Sequence, residues 1–266
     1  MHLDPALIQD LRSVALEAAK AAGAVTCRYF RQSDLAITNK ENTSFDPVTL
    51  ADREAEQAIR AVLALRRPDD GILGEEFGLS KGSTGLTWVI DPIDGTRGFM
   101  SGTPTWGTLI SVGTPAGPIL GLIDQPYIGE TFLGGPGFSE LLHRNVSRPL
   151  GTRRGVALSD ATIFTTFPEV GTTAEADAFH RLARQTRLTR YGMDCYAYGL
   201  LAAGQVDLVV EAGLNAYDIH APIAVIEAAG GIVTDWDGNP VHEGGRVAAA
   251  GSAELHAIAL DILNSG

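Results

Sequence analysis

The chain has 266 residues, 45% hydrophobic and 20% charged, enough apolar side chain for a sizeable core and far from a disordered composition. With 20 Lys and Arg against 32 Asp and Glu, the net charge is −12, a surface that repels nucleic-acid phosphates. Cys27 and Cys195 have neither CxxC nor metal-ligand spacing, which argues against a disulfide framework or a thiolate zinc site and reads as two small core residues. Asp4-Pro5 pairs an N-cap with a proline at the first helical position, and Leu7, Leu11, Val14, Ala18 and Val25 predict a helix to about Phe30. Asp4, Asp10, Arg12 and Glu17 break the apolar run that a signal peptide needs, so a cytoplasmic location is expected.

A short strand is expected at residues 35–37 and a second helix over 49–66, carried by Ala51, Ala55, Ile59, Val62 and Leu63 and stopped by Pro68. Asp52 lies in its first turn. Residues 72–133 turn to short β-rich runs at 88–90, 108–112, 119–123 and 130–133, read as antiparallel sheet. The charge-free run 98–123 is long enough for a bilayer, but six Gly and three Pro divide it into strands and turns, so no membrane partner is expected. The basic, turn-rich stretch 143–155 predicts a boundary between an N-terminal α+β half, 1–145, and a C-terminal α/β half, 146–266, in one compact unit. In the second half, strands at 163–165, 188–190, 208–211 and 232–234 alternate with helices at 174–185, 196–203, 219–229 and 253–263.

Four acidic clusters stand at element boundaries: Asp46 to Asp52, Gly74-Glu75-Glu76, Asp91-Pro92-Ile93-Asp94-Gly95-Thr96, and Asp218. The apolar strand 87–90 delivers Asp91 and Asp94 to its end, with Pro92 stiffening the turn between them. Carboxylates so close repel unless a proton or cation lies between them, and oxygen-only donors suit a hard ion such as Mg²⁺. Gly95 and Thr96 add free N–H groups and a hydroxyl suited to an anion. Each cluster alone has a plainer reading: a turn for Asp91 to Gly95, a solvated bend for Glu75-Glu76, a helix-dipole residue for Asp52, and an N-cap at Asp218 for a helix starting at Ile219. Together, four carboxylate clusters without His or Cys spacing favour a magnesium-type site.

The segments DPVTLAD (46–52), GEE (74–76), WVIDPIDGTRGF (88–99) and YDIHAPIAVIEAAGG (217–231) resemble the inositol monophosphatase family, in order and over nearly the whole chain. The resemblance implies a layered αβαβα sandwich, usually dimeric, of the inositol monophosphatase and fructose-1,6-bisphosphatase type. It implies Glu75, Asp91 and the Ile93 carbonyl as ligands of a first Mg²⁺, and Asp91, Asp94 and Asp218 as ligands of a second, with a third weakly held ion near Glu75. Mn²⁺ would substitute and Li⁺ would inhibit. Such ions activate a water and neutralise the leaving ester oxygen. Thr96, oriented by Asp52, would position that water, and the Gly95 and Thr96 N–H groups would cradle the phosphate; Lys40 would add counter-charge. Residues 187–213 and PTWGTLIS (104–111) most resemble the histidinol-phosphate phosphatases of this type. That implies histidine biosynthesis as the setting, L-histidinol phosphate as substrate, and Asp94, Asp194 and Glu211 as substrate-binding residues. Asn215-Ala216, His220 and Pro222 depart from the usual pattern. An inositol or other sugar phosphate is the alternative substrate, and a non-catalytic Mg²⁺/phosphate-binding protein the reading from another class. Tyr196 and Tyr198 read as helix packing.

Overall fold

The computed structural model describes residues 4–32, 37–39, 47–144 and 146–265, so Lys40, Asp46 and most of the first expected strand lie outside the described residues. In the first half come α1 (Pro5–Tyr29), β1 (Ile37–Asn39), β2 (Pro47–Thr49), α2 (Leu50–Arg66), β3 (Gly71–Gly74), β4 (Gly78–Ser80), β5 (Thr87–Asp94) and α3 (Thr96–Ser101). A meander follows, β6 (Gly107–Thr114), β7 (Gly117–Gln125), β8 (Glu130–Gly135), β9 (Phe138–His143) and β10 (Val146–Pro149). The remainder forms β11 (Thr162–Thr165), α4 (Thr173–Ala183), β12 (Leu188–Tyr191), α5 (Asp194–Ala202), β13 (Leu208–Asn215), α6 (Ala216–Ala228), β14 (Ile232–Thr234), β15 (Gly244–Ala250) and α7 (Ala253–Leu263).

Side-chain alternation along the strands builds the layers. In β6 and β7, Ile110, Val112, Leu120 and Leu122 face α1 and α2, where Leu11, Val14, Ala18, Ile59 and Leu63 close one core. Leu109, Ile123 and Phe132 face the other way, onto α5 and α6. The second sheet repeats the rule: Val209, Val247 and Ala249 pack on α5 and α6, whereas Leu208, Val210, Ala248 and Ala250 pack on α4 and α7. The order is helices, an eight-stranded sheet, helices, a five-stranded sheet, helices, the expected αβαβα sandwich. Sandwiched between two sheets, α6 is buried on every side from Ile219 to Ile226, as a stretch apolar but for His220 requires. Among the described residues, no helix is long and apolar enough to cross a membrane.

The first sheet is antiparallel except where β3 runs parallel to β5. Strands β9 and β10 were not expected; they pair antiparallel, and the sheet runs on to Pro149, so the 145/146 boundary falls between two paired strands. Strand β15, rich in Gly and Ala, lies antiparallel to β13 and β14, so the second sheet is mixed. Cys195 is buried, but Cys27 is exposed, because it follows Thr26, the last buried residue of the α1 stripe.

Asp124, near the end of β7, is buried with one side-chain donor, the Thr131 hydroxyl at 2.6 Å. Burial raises its pKa to about 6. The folded state therefore holds this proton more tightly than the unfolded chain; the stabilisation is complete below about pH 4 and lost as pH rises through about 6. Asp124→Asn keeps an acceptor for Thr131 and removes the charge. Its stability relative to the parent should rise between about pH 4 and pH 7, by on the order of 1–3 kcal/mol, read from thermal melts of both proteins across that range.

Candidate active site

A bulge in β5 builds the centre of the site. Its pairing with β6 is regular to Asp91↔Leu109 and resumes only at Asp94↔Gly107, so Pro92 and Ile93 loop out and both carboxylates are re-aimed. The loop is closed by its own bonds: Asp91 Oδ1 accepts the Ile93 N–H at 3.0 Å, and the Thr108 hydroxyl donates to the Pro92 carbonyl at 2.8 Å. Beneath it, Ile93 packs with Phe30, Ala51, Phe99 and Trp106.

Carboxylate oxygens of Asp91, Asp94 and Asp218 lie within 4.8 Å of one another. Asp218 is the third residue of α6, not its N-cap: the helix begins earlier, with Asn215 as cap, and the Asn215 N–H donates to Asp218 Oδ2 at 2.6 Å. Asp94 Oδ2 accepts the Cys195 N–H at the start of α5, also at 2.6 Å. Burial and the neighbouring charges push Asp91 and Asp94 well above the ordinary carboxylate range, and burial raises Asp218 to about 6. The grouped side chains are all carboxylates, a donor set that fits a hard divalent cation. Glu75 stands outside that group but, after burial, is the first neighbour raising Asp91. Asp52, buried in the first turn of α2, also acts on Asp91.

Gly95 caps α3 in the left-handed region, φ 85°. The Thr96 hydroxyl donates to the Ile93 carbonyl at 3.2 Å. Asp194 covers this corner: a Cβ on Gly95 would sit 2.8 Å from its carboxyl carbon. Asp194 itself has φ 44°, and burial raises it to about 6 against the opposing pull of Arg97 and a Thr105 hydrogen bond. Glu211, buried in β13, accepts from the Thr165 hydroxyl and from the Thr166 N–H and hydroxyl at 2.8–3.1 Å. Burial still lifts it to about 7.

The structure thus brings together Asp91, Asp94 and Asp218, with Gly95, Thr96 and Asp194 beside Asp94. Of the departures, Pro222 lies inside α6, where it cannot donate to the Asp218 carbonyl. His220 faces Ser111 at 3.3 Å, and burial lowers it to about 4, a neutral core imidazole. Tyr196 donates to Glu130 and packs on Phe132, as a packing residue would. Tyr198 is buried, its hydroxyl without a hydrogen-bond partner among the described residues and within electrostatic reach of Glu211, Asp94 and Asp218. Sequence reading passed over Arg97, whose guanidinium stacks on the Phe167 ring at 4.8 Å, and the Thr165-Thr166 pair; their position just after a motif and at a strand end was the available signal.

A profile of the inositol monophosphatase family matches residues 7–265. The chain is 40% identical over 256 residues, 92% of it and 72% of the relative, to the bifunctional phosphatase IMPL2, chloroplastic, of Arabidopsis thaliana. It is 34% identical to the histidinol-phosphatase of Streptomyces coelicolor, covering 98% of both chains. A solved inositol monophosphatase from Zymomonas mobilis superposes with a TM-score of 0.86 at 38% identity, over 98% of this chain and 100% of that one.

Two glycines, one before β5 and one after it, separate backbone strain from steric contact. Gly85, φ 83°, has open space around a would-be Cβ, whereas at Gly95, φ 85°, the same atom meets Asp194. Gly85→Ala should cost only the left-handed backbone term, about 1–2 kcal/mol. Gly95→Ala should cost clearly more, and paired denaturant titrations measure the difference.

Proposed function

The chain belongs to the inositol monophosphatase family and is a phosphoric monoester hydrolase; on that footing we propose that its substrate is L-histidinol phosphate and its working ion Mg²⁺. The observation that carries the reading is the pair of acidic side chains, Asp194 and Glu211, next to a carboxylate cluster suited to a divalent cation. The full-length likeness to a histidinol-phosphatase supports it.

In this reading Glu75, Asp91, Asp94, Asp218 and the Ile93 carbonyl hold the ions. When bound, the ions lower the pKa of water and offset charge on the departing oxygen. The Gly95 and Thr96 N–H groups hold the phosphate against the bulge, and Thr96 with Asp52 orients the attacking water. Asp194 faces the leaving group as a charge-assisted acceptor for the substrate ammonium. Glu211 accepts the imidazole N–H at the one carboxylate position that Thr165 and Thr166 leave open. A cytoplasmic homodimer belongs to the same reading. The second reading, an inositol or other sugar phosphate, draws on the 38% identity to the Zymomonas structure.

The deciding experiment is Mg²⁺-dependent phosphate release from histidinol phosphate, inositol 1-phosphate, fructose 1,6-bisphosphate and 3′-phosphoadenosine 5′-phosphate. The first should be the preferred substrate; preference for the second would hand the site to the sugar-phosphate reading. Asp94→Asn should leave the fold formed but nearly abolish turnover, because a neutral amide holds a divalent cation weakly; near-parental kcat at saturating Mg²⁺ would refute the metal role. Asp194→Asn should lower kcat/KM for histidinol phosphate by about ten- to a hundredfold, the worth of a charge-assisted bond of roughly 1.5–3 kcal/mol, and spare glycerol 2-phosphate. Equal slowing of both substrates would make Asp194 a structural residue.

A further inference from the structure

The hairpin that carries Glu75 is held by a carboxylate that the proposed chemistry does not use. Strands β3 and β4 pair to Gly74↔Gly78, leaving Glu75, Glu76 and Phe77 as a three-residue tip. On one side the Glu75 N–H donates to the Ile90 carbonyl of β5 at 3.2 Å. On the other, Glu56 reaches up from α2, its side chain fully buried: Oε2 accepts the Glu76 N–H at 2.7 Å and Oε1 the Phe77 N–H at 3.2 Å. Arg60, one helical turn on, neutralises Oε1 at 2.8 Å and binds the Gly78 carbonyl at 2.6 Å. Arg53 completes the face at i, i+3 and i+7, its guanidinium 3.6 Å from Glu76 and 4.8 Å from the centroid of the Phe77 ring. Gly74 leaves room for this: a Cβ there would collide with the Glu56 carboxylate.

We infer that Glu56 is a positioning residue for Glu75, a buried carboxylate that pins the tip of the β3–β4 hairpin so that Glu75 is held toward Asp91. A flexible tip would let Glu75 swing away from a centre whose negative charge repels it; two backbone N–H groups locked onto one carboxylate prevent that. Helix α2 thereby sets two parts of the site at once, Asp52 from its first turn and Glu75 through Glu56. The inference rests on the metal-binding reading of the Asp91 cluster, though not on which ester is cleaved.

The test uses Mn²⁺ alone as the probe, titrated calorimetrically into the metal-free chain. In Glu56→Gln only one side-chain oxygen remains, and the amide NH₂ faces a backbone N–H, so one tip bond is lost. Removing such a support should weaken Mn²⁺ binding by the folded variant about tenfold or more, with unchanged KM and phosphate release restored by raising Mg²⁺. Arg60→Gln keeps the carboxylate and removes its counter-ion, and should shift Mn²⁺ affinity in the same direction by less; it decides the matter if Glu56→Gln does not fold. Parental Mn²⁺ affinity in either folded variant overturns the inference, as does a kcat loss that saturating Mg²⁺ leaves unrepaired. A parent chain that binds Mn²⁺ but hydrolyses no ester in the panel would instead sink the proposed function and leave the Mn²⁺ comparison standing.

Discussion

Everything in this structure answers to one cost, the mutual repulsion of carboxylates gathered out of bulk water. Asp91, Asp94 and Asp218 stand within 4.8 Å of one another, and no Lys or Arg is paired with any of them in the ion pairs of the described residues. Such an arrangement survives only if protons, cations or oriented backbone dipoles offset the charge. The fold supplies dipoles: the Cys195 N–H meets Asp94 at the start of α5, and the Asn215 N–H meets Asp218 at the start of α6. Asp52 sits in the first turn of α2, and Gly95 caps α3. Two helix beginnings, each with a partial positive charge, thus meet one acidic centre, and two more helices start beside it.

That convergence explains why the helices are where they are. Helix α6 carries Asp218 and is buried on all sides between the two sheets, so its position is fixed by packing on both faces and the carboxylate cannot drift from the charges that repel it. The β5 bulge does the same for Asp91 and Asp94, locking the loop with an internal N–H bond and the Thr108 hydroxyl over an aromatic floor. Three other carboxylates, Glu56, Asp70 and Asp207, are buried with an arginine partner instead, Arg60, Arg67 and Arg153.

Local chemistry was legible in the sequence; long-range support was not. The bulge motif, the helical stripes of α1 and α2, and the acidic residues all advertise themselves through spacing within a few residues. Strand β10 gives no apolar signal because it is the sheet edge and is exposed along its whole length, and β9 beside it mixes Ser139, Glu140 and His143 among its apolar residues. Strand β15 hid behind Gly and Ala, which lack the β-branched signature although Val247 to Ala250 are buried. Glu56 gave no signal at all, since its partners lie 20 and 21 residues away on a hairpin tip. The start of α6 was misplaced because Asp218 is a good cap by type, whereas Asn215 sits where the backbone is extended.

The placement of these residues divides labour between the layers. Asp91, Asp94, Gly95 and Thr96 come from the first sheet and the short helix that leaves it, and Glu211 from the second. Asp194 and Asp218 begin the two helices sandwiched between them. The carboxylate cluster therefore closes only when the middle layer is in place, so residues 1–145 hold the bulge but lack the third member of the cluster. Substitutions in β11 and β13 act first on what surrounds Glu211, because the inward faces of these strands meet the middle helices α5 and α6. Under the proposed function, such an architecture would let leaving-group recognition vary while the phosphate side stays fixed, in line with relatives named for histidinol and for inositol phosphates.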